Sequence, residues 1–122
     1  MTPKHGTIAL ACLLIFAACS PTSAGEASTA VSIKGFVFSP ELTQVRAGTT
    51  VVWTNQDEIL HTVTGGSTRN TGLGTYEASP DGLFNGRLDG ASSSFRFTFQ
   101  DPGTYAYYCD RHRHMVATVV VK

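Results

Sequence analysis

From Ser94 to Gln100 the aromatic residues Phe95, Phe97 and Phe99 alternate with Ser94, Arg96 and Thr98, and no window after residue 30 shows a helical apolar period. A period of two places alternate side chains on opposite faces of an extended chain, so this segment reads as a half-buried strand. Val51 and Trp53 within 49–55 repeat the pattern, as do Tyr105 and Tyr107 within 104–109, and Val116 to Val121 reads as a closing strand. Asp101-Pro-Gly is a turn. Several short strands separated by Gly and Pro turns predict an all-β domain, a Greek-key antiparallel β-sandwich. Between Ile33 and Phe36 the apolar phase slips by one residue across Lys34 and Gly35, which predicts a β-bulge. The stretch from Gly65 to Gly90 is rich in Gly, Ser, Thr and Asn; short strands are expected only around 75–77 and 83–88.

An immunoglobulin-like sandwich would explain Trp53 and the run from Asp101 to Cys109, but its intersheet disulfide needs a second cysteine on an early strand. The three cysteines are Cys12, Cys19 and Cys109, so Cys109 has no partner within the folded part.

The first residues carry Lys4, and Ile8 to Ala18 is an unbroken apolar run of eleven residues ending at Cys19. Eleven residues are too few to span a bilayer, and the pattern reads as a secretory signal over residues 1–18. Phe16-Ala-Ala before Cys19 is similar to a bacterial lipobox, which makes Cys19 the expected site of lipidation. Residues 19–30, mostly Ser, Thr, Ala and Gly, read as a flexible tether. Residues 31–122 are the expected domain, and the expected location is extracytoplasmic, lipid-anchored to a bacterial membrane on its periplasmic side or at the cell surface. Nine Lys and Arg balance nine Asp and Glu, so nothing in the charge favours a nucleic-acid partner.

A thiol alone in an oxidising compartment is either buried and inert or held by a metal. Here Cys109, His112 and Met115 stand at the spacing C-x-x-H-x-x-M, and His61 lies far upstream at the edge of a β-rich segment. Two imidazoles, a thiolate and a thioether are what a mononuclear electron-transfer copper site needs: the first three satisfy Cu(I) and Cu(II) alike, and a weak thioether biases toward Cu(I). Each residue alone has a duller reading, Met115 as a core gap-filler and His61 as a surface histidine.

The segments Val31 to Pro40, Val45 to Asn55, His61-Thr-Val-Thr64 and Asp101 to Cys109 running on to Lys122 together resemble the cupredoxins, the small blue-copper proteins, in their amicyanin, pseudoazurin and plastocyanin branch. The resemblance covers most of the chain after residue 30. It implies that His61, Cys109, His112 and Met115 ligate one copper ion cycling between Cu(I) and Cu(II), and that Thr62 and Asp110 hydrogen-bond between the loops that carry these ligands. It also implies that Asn55 helps to keep the site dry. His114 competes with His112 and would give the azurin-like spacing C-x-x-x-x-H, but Met115 follows it directly and the two do not easily converge on one ion; His112 is the preferred ligand.

The function implied is single-electron shuttling, without a small-molecule substrate, by a monomer at a membrane surface. Electrons would leave through the ring edge of His112. Relatives often have Pro after this histidine; Arg113 stands there instead, so Arg111, Arg113 and His114 make the port basic and suggest redox protein partners with an acidic docking face. Copper handling without electron transfer is the alternative reading.

Overall fold

The computed structural model describes Pro3, Ile15 and residues 25–122. The expected signal peptide, Cys19 and the first part of the tether lie outside the described residues, apart from Pro3 and Ile15. Nine strands follow in order: β1 (Ser28–Lys34), β2 (Val37–Ser39), β3 (Leu42–Val45), β4 (Thr49–Asn55), β5 (His61–Asn70), β6 (Tyr76–Leu88), β7 (Ser94–Phe99), β8 (Gly103–Tyr108) and β9 (Val116–Val121). They form two facing sheets, β2-β1-β4-β7 and β3-β9-β8-β5-β6, and the described residues contain no helix.

The sandwich is all-β, but two neighbour pairs, β1 with β4 and β3 with β9, run parallel. A parallel pair needs a crossover. Here the chain supplies it by leaving β2, passing through the cis Ser39–Pro40 bond into β3 of the other sheet, and returning as β4.

Three local expectations change. The phase slip at Gly35 is a turn rather than a bulge: Lys34 pairs with Val37, and Gly35 and Phe36 have φ of 61° and 62°. Positive φ at both central residues is the two-residue type I′ hairpin, whose twist matches that of the strands. The tether expected over 19–30 ends early, because Ser28, Thr29 and Ala30 already pair with Thr50, Val51 and Val52. Their small polar composition hides a strand whose partner lies more than twenty residues away.

The third change concerns the Gly-rich stretch, which is one long hairpin rather than two isolated short strands. Gly66, at φ 128°, breaks the register, and β5 and β6 continue beyond it as a two-stranded arm paired out to Asn70 and Tyr76. A Cβ on Gly66 would lie 2.3 Å from the carbonyl oxygen of Ser79, so the close crossing at the bend requires glycine.

The inward faces of both sheets make the core. Val31, Ile33, Val51 and Trp53 come from one sheet, and Val63, Leu88, Tyr107 and Val119 from the other. Trp53 sits between Phe84, Phe95, Phe99 and Tyr107, with ring centroids 5.4–6.4 Å apart. Aromatic rings at these separations add to simple burial.

Candidate metal centre

β8 ends at Tyr108, which delivers Cys109 to one end of the sandwich with its side chain fully buried. The loop to β9 closes tightly on itself. His112 N donates to Cys109 O at 3.3 Å, Met115 N to His112 O at 2.9 Å, and Cys109 N to Met115 O at 3.1 Å. Consecutive turns of this kind return His112 to Cys109 and bury Met115 before β9 begins. β5 starts at His61, which is also fully buried.

The two strands bring His61, Cys109 and His112 together. Cys109 Sγ lies 3.8 Å from His61 Nδ1 and 3.6 Å from His112 Nδ1, and the two Nδ1 atoms are 3.3 Å apart. A point equidistant from the corners of that triangle lies about 2.1 Å from each, close to the lengths of first-row metal bonds to imidazole and thiolate. The donors suit a soft, redox-active ion. His114 is exposed and outside this cluster.

The surrounding contacts fix these side chains. His61 Nε2–H donates to Asp57 Oδ2 at 2.8 Å, which leaves the Nδ1 lone pair facing the cluster. The Asp57 carboxylate also accepts from Gly35 N at 2.9 Å and Phe36 N at 3.3 Å. The Gly35 amide above all, aided by His61 and Phe36 and opposed by burial, holds the Asp57 carboxyl below its ordinary range. Thr62 N donates to Cys109 Sγ at 3.3 Å, and Asp110 N donates to Thr62 Oγ1 at 2.7 Å, tying the two loops together. Asn55 is fully buried; its Nδ2 donates to the carbonyls of Ile59 and Leu88, and its Oδ1 accepts from Asp57 N. Asn55 therefore shapes the whole turn that carries Asp57 to His61. Burial, then the neighbouring His61, His114 and Arg111, pushes the His112 imidazole below its usual value, which favours the neutral ring with one nitrogen free to ligate.

Of the three basic residues around the port, Arg113 is engaged. Its Nε and Nη2 donate to Asp110 Oδ1 at 3.1 and 3.0 Å, and Nη1 donates to Tyr76 O at 3.3 Å. Arg113 is thus an ion-paired cation: Asp110 lies three residues away, within reach of the guanidinium, and the tip of the hairpin arm supplies the second acceptor. Arg111 and His114 are exposed.

Sequence reasoning missed Asp57 and Phe36. Asp57 sits in the polar run Asn55-Gln-Asp-Glu, which reads as a solvated loop; its position four residues before His61 was the available signal. Phe36 packs edge-on against His112, with centroids 4.8 Å apart, and against His61 at 5.5 Å.

Residues 25–122 match the copper binding proteins of the plastocyanin/azurin family. Amicyanin-alpha of Methylorubrum extorquens is 29% identical over 97 residues, which are 78% of this chain and 72% of that protein. Among solved structures, a reduced amicyanin variant superposes with a TM-score of 0.61 at 26% identity, covering 78% of this chain and 82% of that one. A purple cupredoxin from Nitrosopumilus maritimus gives a TM-score of 0.60 at 28% identity, covering 77% of this chain and 99% of that one.

Proposed function

The chain belongs to the plastocyanin/azurin family of copper-binding proteins and is a copper electron-transfer protein holding one copper ion; from that premise we propose that it shuttles single electrons between redox protein partners at an extracytoplasmic membrane surface, with His61, Cys109, His112 and Met115 as the ligands. When bound, copper supplies a one-electron couple between Cu(I) and Cu(II). The carrying observation is the triangle of Sγ and two Nδ1 atoms, which converges from the start of β5 and the β8–β9 loop on a single point of bonding size.

The protein's part is to hold those donors still. Asp57 orients His61, the Thr62 amide steadies the Cys109 sulfur, and the turns from Cys109 to Met115 fix the other two. A frame that moves little between oxidation states keeps the barrier to transfer low. With all four donors supplied by side chains, no open coordination position is built for a substrate. His112 is only partly covered, so its ring is the exit we assign, with Arg111 and His114 as the cations meeting an acidic partner face.

Mixing Cu(II) with the purified protein tests this reading. An intense thiolate-to-copper absorption with a reversible one-electron couple supports it, whereas colourless and easily chelated copper favours copper handling instead. Partner rates that fall as salt rises support the acidic docking face, and rates indifferent to salt count against it. Membrane anchoring through Cys19 is tested by fractionating cells that express the full chain or Cys19→Ser: the substituted protein should leave the membrane fraction, and its retention there would refute the anchor.

A further inference from the structure

The histidines His61 and His112 are held in different ways. His61 has the Asp57 carboxylate on its outer nitrogen. His112 Nε2 has no hydrogen-bond partner among the described residues; its polar contacts all run through Nδ1 toward the cluster. A ligating imidazole ordinarily has its second nitrogen anchored, and that anchor sets the ring's orientation.

On its inner side the His112 ring meets His61, with centroids 5.0 Å apart; the contact from outside the ligand set is Phe36. The two rings meet at 84° with centroids 4.8 Å apart; Phe36 also lies at 88° to His61, 5.5 Å away, and stacks on His114 at 6.4 Å and 28°. Phe36 occupies the second central position of the type I′ turn at φ 62°, where glycine or asparagine is the ordinary occupant. A bulky side chain is unfavourable there, and such an outlier beside a functional site points to a role for the side chain itself. The turn is clamped by the carboxylate that orients His61, through Gly35 N and Phe36 N. Asp57 thus sets one imidazole by hydrogen bond and places the ring that meets the other.

We propose that Phe36 is a positioning residue for His112, its ring fixing by packing the imidazole plane that no hydrogen bond fixes, so that the nitrogen stays aimed at the metal in both oxidation states. The inference rests on the copper reading above. It adds that the exposed face of the centre is part Phe36, a residue that remains 42% exposed beside His112. A partner approaching the port meets that ring as well as the imidazole.

The test compares the wild type with Phe36→Gly and Phe36→Tyr. Glycine suits φ 62°, so the metal-free Phe36→Gly protein should fold with unchanged or raised stability. Copper affinity, measured by competition with a chelator, should nevertheless drop by about tenfold or more, the scale seen when an outer contact to a metal ligand is removed. The Cu(II) electron paramagnetic resonance spectrum should broaden, and in the metal-free protein the His112 ring should gain mobility by NMR relaxation. Phe36→Tyr, which keeps the ring, should restore all three. A Phe36→Gly protein with wild-type affinity, spectrum and His112 mobility would overturn the proposal, as would its failure to fold or a Phe36→Tyr protein as impaired as the glycine variant. A wild type that takes up no copper would instead overturn the copper reading itself, a failure visible before any variant is made.

Discussion

Asp57 Oδ2 sits 2.8 Å from His61 Nε2, and the same carboxylate receives the two amides of the turn between β1 and β2. One side chain therefore joins the first hairpin, the turn that precedes β5 and the metal cluster. Its negative charge faces an imidazole whose other nitrogen points at the ion, so it should favour the more highly charged oxidation state.

Asp57→Asn keeps the shape and removes the charge. We expect copper affinity to fall by about 10- to 100-fold and the reduction potential to rise, because Cu(II) loses more than Cu(I); a tenfold difference between the two states corresponds to about 59 mV. Protein-film voltammetry and a chelator competition check this, and a lowered potential would contradict the role given to Asp57.

Met115 closes the loop that carries Cys109 and His112 and is 3% exposed. Replacement by Gln offers a harder axial oxygen that stabilises Cu(II), so Met115→Gln should lower the potential. A raised potential would remove Met115 from the donor set.

Tyr107 and Trp53 are buried in the core, and among the described residues neither the hydroxyl nor the indole N–H makes a well-formed hydrogen bond, the two groups being near neighbours out of good alignment. Burial, partly offset by Trp53, pushes the Tyr107 phenol up to about 12. The folded state therefore keeps this proton where the unfolded chain has begun to lose it, near pH 10. Its contribution is fully present below pH 10 and is lost as pH rises through about 12, a loss on the order of 2–3 kcal/mol. Urea unfolding at pH 9 and above 11 should show that fall in the wild type and a smaller one in Tyr107→Phe. At pH 7 the substitution should cost under about 1 kcal/mol or stabilise, since the lost hydroxyl made no well-formed hydrogen bond.

Gly86 and Gly66 permit close approaches of different kinds. A Cβ at position 86 would fall 2.2 Å from the Phe95 ring, and one at position 66 would strike backbone of β6 with φ at 128°. Gly86→Ala can be relieved by moving one partly buried ring and should cost about 1–3 kcal/mol. Gly66→Ala meets fixed main chain and should cost more, and chemical denaturation of the two variants gives the order. Equal, negligible losses would mean that the arm does not pack as described.

β7 is legible because it alternates Phe with polar residues, and β4, β8 and β9 because Val51 and Trp53, Tyr105 and Tyr107, and the valines of 116–121 make short β-branched or aromatic runs, which are local signals. β1 was cut short because Ser28-Thr-Ala has no apolar stripe and is ordered only by pairing with β4. The Gly35 turn is hidden for a related reason: a phase slip looks the same whether the chain bulges or reverses, and only the pairing of Lys34 with Val37 decides. At the metal cluster, Cys109, His112 and Met115 were conspicuous because one short loop carries them all. Asp57 and Phe36 were not, since their importance comes from what three separate segments bring together. Arg113 looked like a free cation because the sequence does not show the arm folding back to offer the Tyr76 carbonyl.

The most direct test of the account is titration of the metal-free protein and its Cys109→Ser variant with Cu(II), followed in the visible region. The wild type should saturate at one copper per chain with an intense thiolate-to-copper band that a single electron bleaches and reoxidation restores, and the serine variant should show no such band. A band that persists in Cys109→Ser, or a wild type that binds copper without colour, would contradict the assignment of Cys109, His61, His112 and Met115 to one redox-active ion.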